Sequence, residues 1–404
     1  MPISITDALD LIYENVTTIS SEIIPIEKAL GRIIQEDKVA SFDLPRFNNS
    51  AMDGYAVKCK NSESISISNE VIYAGDNPSM TLQKNCAIKI MTGAPLPKGT
   101  EAIIPIENVT IKENEIILPQ TIRENENVRF AGEDVKKGTT YLLKGEKTSA
   151  YSIALLASQG ITHIKVSRLL KVAVFGTGDE LRPHYEKIES HQLYNSNTPM
   201  FLSRAEDLGC EVSYIGNAGD TIASLEKTIK SALSADIIIT SGGVSMGDKD
   251  FTKEAFQNLG MKLFFHKVDI KPGKPTAFGM IGNKAIINLP GNPLASMVNY
   301  EIFVRAVIRK MSGRKEYYHQ VLTTKIKEDF LVRQGKYTVK LGVFDGNTFM
   351  PIKKQLAGML SPLHEANSMI ILTPKISELK KDEVVKIIPI GFELTSNAKE
   401  NLFY

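Results

Sequence analysis

Three times between Lys171 and Asn292 the chain runs a short apolar segment straight into a glycine turn: KVAVFGTG from Lys171, DIIITSGG from Asp236 and AIINLPGN from Ala285. Strands buried on both faces read as continuous apolar runs, and such runs alternating with helices require a parallel sheet covered on both sides. The intervening segments fit. SRAEDLG reads as a helix stopped by Gly209, EVSYIG as a strand, and TIASLEKTIKSALSA as an amphipathic helix. The pattern predicts a doubly wound, mostly parallel α/β unit, with the long helix after AIINLPGN ending near Ser312.

The flanks have a different texture. The chain opens on an amphipathic helix, with Ile5, Ala8, Leu9, Ile12, Tyr13 and Val16 at helical spacing and Ser4 with Asp7 as a capping box. Between about Phe42 and Asp134, short β-type runs are broken by Pro and Gly, and IKENEIIL reads as a hairpin around Glu113–Asn114. AGEDVKKGTTYL is a turn-rich return, and SAYSIALLASQG a short helix closed by Gly160. The end of the chain returns to β texture in YTVKLGVF, GNTFMP, MIILTP and VVKIIPI, which predicts a small barrel or sandwich. Two β-rich units thus flank an α/β unit, within the two to four domains that 404 residues allow.

Forty-eight basic against 46 acidic residues leave a net charge of +2, so no electrostatic footprint for nucleic acid or an anionic membrane is expected. No apolar run is long enough to span a bilayer. Cys59, Cys86 and Cys210 are widely spaced and include no CxxC pair, which argues against a disulfide framework or zinc ribbon and for reduced thiols. The first residues carry Asp7 and Asp10 and lack the layout of a signal peptide, so a cytoplasmic protein is expected.

In a parallel α/β sheet, ligands bind outside the carboxyl ends of the strands. At the first such end, Gly176 and Gly178 would let backbone approach a ligand, and Asp179 and Glu180 follow; Leu181 at the third glycine position excludes a dinucleotide fingerprint. The second, Thr240-Ser241-Gly242-Gly243, has the geometry of an anion cradle at a helix N-terminus. Gly242 and Gly247 have P-loop spacing, but Asp248 stands where Lys is required, which rejects a Walker-type ATPase. Asp248 and Asp250 instead place carboxylates beside a phosphate, where Mg²⁺ would bridge them. The same tract, Gly243-Val244-Ser245-Met246-Gly247, matches the nucleophile elbow of serine hydrolases. That reading needs an acid and a His, for which His266, His319 and His364 are candidates, none in a recognisable loop after a strand.

The third end, Pro290-Gly291-Asn292-Pro293, is a rigid turn before a helix, and Lys271 and Lys274 on the proline-stiffened DIKPGKP loop can neutralise an anion. In the N-terminal β unit, Asn49 to Ala56 reads as a binding loop with Asp53 as its carboxylate, while Ile90–Pro95 and Arg129 to Asp134 stay ambiguous on composition alone. The residues themselves thus point to a phosphate or pyrophosphate ligand with Mg²⁺, and to transfer or cleavage at phosphate.

Taken in order, SAMDGYAV, IMTGAPLPKGTEAIIP, GEDVKKG, VFGTGDEL, TSGGVSMGDKDF, DIKPGKPTAFG and NLPGNPLAS resemble the MoeA-type molybdopterin molybdenumtransferase family, relatives of the C-terminal part of gephyrin. The resemblance implies an elongated four-part subunit. Residues 1–41 with 136–166 would form a discontinuous N-terminal domain, 42–135 an inserted β-rich domain, 167–314 a central α/β molybdopterin-binding domain, and 318–404 a C-terminal β-barrel-like domain. It implies a homodimer whose cleft is lined by both subunits, with molybdopterin adenylyltransferase and molybdoenzyme apoproteins as transient partners. The implied reaction inserts molybdate into adenylylated molybdopterin, with Mg²⁺-assisted pyrophosphate cleavage releasing AMP.

By motif, the resemblance assigns catalytic roles to Asp53, Thr92, Arg129, Asp134, Glu180, Asp250, Lys271 and Lys274. It implies ligand binding by Gly178, Asp220, Thr240, Ser241, Gly242, Gly243, Ser245, Pro290, Pro293 and Ser361, the last from the other subunit. Metal would be held by Asp248, Asp250 and Glu180. Asn48 and Asn195 stand where relatives commonly carry Asp, Ser368 where Gly is common, and Pro362 follows Ser361. Alternatives are a molybdopterin adenylyltransferase, against which the flanking domains argue, and a non-catalytic molybdopterin-binding scaffold, against which the retained Asp53, Glu180, Asp250 and Lys271 argue.

Overall fold

A computed structural model describes residues 1–59, 64–77, 79–219, 221–243 and 251–391. At its centre is a six-stranded sheet of β1 (Lys171–Thr177), β2 (Glu211–Ala218), β3 (Ile237–Ser241), β4 (Lys262–Phe265), β5 (Ala277–Ile281) and β6 (Lys284–Leu289), in the order β2-β1-β3-β6-β5-β4. The first four strands in that order are parallel, and β5 and β4 add an antiparallel edge. This edge is not visible in the sequence reading, because β4 and β5 are short and separated by the Pro- and Lys-rich loop. Ala277 at the start of β5 pairs with Asn288 near the end of β6, so that loop lies at the carboxyl end of the parallel strands.

Alternate strand residues serve opposite faces, as the two-residue period of a strand requires. Val172, Val174, Ile237, Ile239, Ala285 and Ile287 enter one apolar core. Ala173, Phe175, Ile238 and Ile286 enter another. The first is covered by helix α1 (Asn197–Asp207) and by the helix that begins as α4 (Pro293–Asn299); the second by α2 (Ile222–Ala232) and α3 (Phe251–Asn258). Helix α1 starts earlier than the SRAEDLG pattern indicates, and α4 continues through a π turn, Tyr300–Val304, into Arg305–Met311.

The flanking units are β-rich as expected. Gly54–Val57, Ser64–Ile72, Cys86–Ile90, Ala102–Pro105, Thr110–Lys112 and Glu115–Ile117 form one six-stranded sheet, with the predicted hairpin turning at Glu113. The segments on either side of this insert meet, since Ser21–Pro25 pairs with His163–Ser167 and Lys38–Val39 with Thr140–Leu142. Ser4 caps the first helix, Ile5–Asn15, and Ser149 and Ser152 form a full capping box on Ala150–Ser158. The C-terminal strands close into a five-stranded barrel. Its last strand is anchored to the central domain by a buried ion cluster. Glu301 accepts from Arg204 at 2.6 Å and Arg305 at 3.0 Å, and Arg305 donates to the Pro389 carbonyl at 2.8 Å. No helix among the described residues is long and apolar enough to cross a membrane.

Candidate functional site

The strand order reverses direction of growth at β1, with β2 on one side and β3 on the other, which is the switch point where α/β sheets open a crevice. A cleft of about 830 Å³ lies there, lined by the turns after β1, β3 and β6. Six of the expected binding positions, Gly178, Glu180, Ser241, Gly242, Gly243 and Pro293, share it.

Backbone geometry explains the glycines after β3. Gly242 has φ +91° and Gly243 φ +68°. A Cβ on Gly242 would lie 2.7 Å from the Thr177 carbonyl oxygen, and one on Gly243 2.1 Å from Thr252 Oγ1. No side chain fits either position, so the turn brings bare backbone to the cleft, as a phosphate cradle requires. At the third turn Pro293 occupies the first position of α4, and the Leu294 N–H donates to the Ala357 carbonyl at 2.9 Å. That bond seats the 356–360 loop of the C-terminal unit on the helix start, where Gly358 and Leu360 join the cleft. Ser361, next in the chain, is exposed at the head of the short helix Ser361–Glu365 and does not itself line the cleft.

Asn195 is built into the cleft wall. Its Nδ2 donates to Thr198 Oγ1 at 2.9 Å and Asn217 Oδ1 at 3.1 Å, while its Oδ1 accepts from the Thr198 N–H at 3.1 Å. An aspartate could not donate those two bonds, so the asparagine serves packing around Gly176, whose Cβ would sit 2.7 Å from Asn195 Nδ2. Thr240 is buried and donates to Asn288 Oδ1 at 3.0 Å, and Pro290 is buried; neither lines the cleft.

The other candidates lie elsewhere. Lys271 pairs through its backbone with the barrel: its N–H donates to Tyr337 O and its carbonyl accepts from the Val339 N–H, both at 2.8 Å. Among the described residues neither Lys271 nor Lys274 forms an ion pair. Burial, with Lys271 nearby, pushes the Lys340 ammonium below its ordinary value. In the inserted domain Asp53, Thr92, Arg129 and Asp134 are all exposed. Asp53 Oδ1 accepts from both the N–H and the hydroxyl of Thr92 at 2.7 Å, which holds its carboxyl below the usual range. Asn48 Oδ1 accepts from the Ala131 N–H at 2.8 Å, tying the Arg129–Asp134 loop to the Asp53 loop. None of these residues lines the cleft of the same chain.

Asp220, Ser245, Asp248 and Asp250 lie outside the described residues. Among the described residues no group of three or more His, Cys, Asp or Glu could hold a metal. The serine-hydrolase reading loses one histidine, because His319 is turned to the Ile302 carbonyl and to Arg305, and burial lowers its pKa to about 4. Tyr194, Asn197 and Leu360 also line the cleft, beyond the positions expected from the sequence. Leu360 carries no local signal, whereas Asn197 stands two residues beyond Asn195 and opens a helix at a strand-end turn.

Comparison with known proteins places this architecture. Residues 3–160 match the family profile described as "MoeA N-terminal region (domain I and II)" and residues 173–310 that described as "Probable molybdopterin binding domain". The chain is 36% identical over 386 residues to the molybdopterin molybdenumtransferase of Haemophilus influenzae, covering 92% of this chain and 94% of that protein. It is 32% identical over 403 residues to the protein of that name from Staphylococcus epidermidis RP62A, covering 96% and 95%. The molybdopterin biosynthesis MoeA protein of Pyrococcus horikoshii OT3 superposes with a TM-score of 0.84 at 27% identity, covering 96% of this chain and all of that one.

Proposed function

The chain belongs to the molybdopterin molybdenumtransferase family, transferases of molybdenum cofactor biosynthesis, and from that premise we propose that it inserts molybdate into adenylylated molybdopterin and releases AMP. The observation that carries this reading is the turn Gly242–Gly243, where two left-handed glycines walled by Thr177 and Thr252 open onto the cleft. A pyrophosphate seated there would accept from bare backbone N–H groups. Ser241 would add a hydroxyl, and Glu180 would face either the pterin's N–H edge or a cation.

Glu180 offers hard oxygen ligands in the cleft, and Mg²⁺ needs one or two carboxylates besides the substrate's phosphates, so the residues present fit that ion. When bound, Mg²⁺ would neutralise charge that develops on the pyrophosphate during cleavage. Lys271 and Lys274, free of ion pairs among the described residues, would hold molybdate. Asp53 with Thr92, and Arg129 with Asp134, would act on the same ligand from the partner of a homodimer, which accounts for their exposure and their absence from the cleft of their own chain.

The test supplies purified protein with adenylylated molybdopterin, Mg²⁺ and molybdate and follows AMP. Release that requires molybdate and yields cofactor able to activate an apo-molybdoenzyme supports the transferase. Tight binding without AMP would replace it with a carrier role.

A further inference from the structure

Asn197 is 6% exposed, yet it lines the cleft. Its Nδ2 donates to Ser241 Oγ and to the Gly291 carbonyl, both at 2.7 Å. One amide therefore joins the turn after β3 to the turn after β6. Those turns are already close, since a Cβ on Gly291 would lie 3.7 Å from the Gly242 Cα. The other end of the same amide, Oδ1, is buried with no hydrogen-bond partner among the described residues. A buried unpaired carbonyl is costly, and an amide normally flips to the better-satisfied orientation.

Gly291 forbids the flip. Its carbonyl can only accept, so Asn197 must present nitrogen to it, and the same nitrogen then faces Ser241 Oγ. Ser241 consequently accepts from Asn197 and keeps its own proton. In the flipped orientation Oδ1 would take that proton and withdraw it from the cleft. We propose that Asn197 is a positioning residue, which through the Gly291 carbonyl fixes Ser241 as a hydroxyl donor to a phosphate oxygen of the ligand and locks the glycine cradle against the turn at α4. This rests on the reading of the cleft as a pyrophosphate site.

Asn197→Asp retains the shape and loses the donors. A carboxylate would accept the Ser241 proton and face the Gly291 carbonyl oxygen to oxygen. Binding of adenylylated molybdopterin should weaken by roughly tenfold or more, the scale of a hydrogen bond to a charged group. The KM for molybdate, held on another loop, should stay unchanged. Ser241→Ala should weaken nucleotide binding by a similar factor, and the double variant should lose no more than Asn197→Asp alone, because the two residues act as one unit. Asn197→Ala serves where the aspartate disturbs folding, with thermal melting as the control. The same series is titrated with inorganic pyrophosphate. If wild type binds pyrophosphate and the variants do not, while AMP release fails, the assignment of Asn197 stands and the transferase reading falls. Multiplicative losses in the double variant, unweakened binding in a folded Asn197→Asp, or wild type that ignores pyrophosphate each overturn the proposal.

Discussion

In the central cleft the glycine cradle and its two asparagines are each fixed from several sides, whereas in the inserted domain Asp53 is fixed by a single neighbour. Gly242 and Gly243 are pressed by Thr177 and Thr252, Asn195 makes three hydrogen bonds, and Asn197 spans two turns. Asp53 is exposed, and its side chain rests on Thr92. The difference is what a divided site would produce. A cradle for a bulky polyanion needs rigid backbone, which only buried packing supplies, while a carboxylate that meets the ligand from another subunit must stand free until the ligand arrives. Changes in the cleft should therefore cost stability and binding together, and changes in the insert should cost turnover alone.

The largest effect is expected at Asp53. Asp53→Ala should abolish AMP release while circular dichroism, thermal midpoint and nucleotide binding stay as in wild type. A fall in thermal stability beside the lost activity would make Asp53 structural and erase the contrast. Gly243→Ala should lose turnover too, but through folding and binding. A Cβ there meets Thr252 Oγ1 at 2.1 Å in a left-handed backbone. Folding should lose on the order of 1–3 kcal/mol, read by denaturant melts, and nucleotide binding should fall with it. Gly243→Ala with wild-type affinity would show that bare backbone is not what the ligand uses.

Mixing sharpens the comparison further. If Asp53 serves the partner's cleft, Asp53→Ala and Gly243→Ala subunits, each inactive alone, form hybrids with one intact site. Random reassortment of a twofold dimer then restores roughly a quarter of wild-type turnover. Mixtures that stay silent after denaturation and refolding together would place both residues in one subunit's site.

The same contrast governs what was legible in the sequence. The glycine turns could be read because chemistry and local backbone coincide: SGG after an apolar strand is both a φ > 0 signal and a cradle, and the parallel sheet follows from the same repeats. The β4–β5 edge could not, since Lys262–Phe265 and Ala277–Ile281 are too short to separate from the loop between them. Gly358 and Leu360 reach the cleft through long-range bonds from the Leu294 and Ala295 N–H groups to the Ala357 carbonyl, which no local pattern encodes. Asn195 reads as a lost charge in the sequence and as a saturated amide in the fold, because its value lies in donors to Thr198 and Asn217. The separation of Asp53, Thr92, Arg129 and Asp134 from the cleft follows from how the insert is placed, which motif order along the chain does not carry.

The smallest effect is expected at Thr92, and it tests whether Asp53 acts as a carboxylate. Hydrogen bonds from the Thr92 backbone and hydroxyl hold Asp53 below its ordinary pKa. A lowered folded-state pKa means that the native carboxylate remains ionised where the unfolded one begins to protonate. On a side chain this exposed the stability at stake is small, present above the unfolded value and lost as pH falls through the folded one, so Asp53→Ala still keeps a thermal midpoint close to that of wild type. Thr92→Val removes the hydroxyl bond and leaves the backbone bond. The pKa of Asp53, followed by carboxyl NMR, should rise part of the way toward the ordinary aspartate value. The acid limb of the pH–rate profile should move up by the same amount, with the plateau at neutral pH nearly unchanged. A limb that stays in place while the NMR titration moves would assign it to another group, leaving Asp53 as a hydrogen-bond acceptor whose charge is not what the reaction uses.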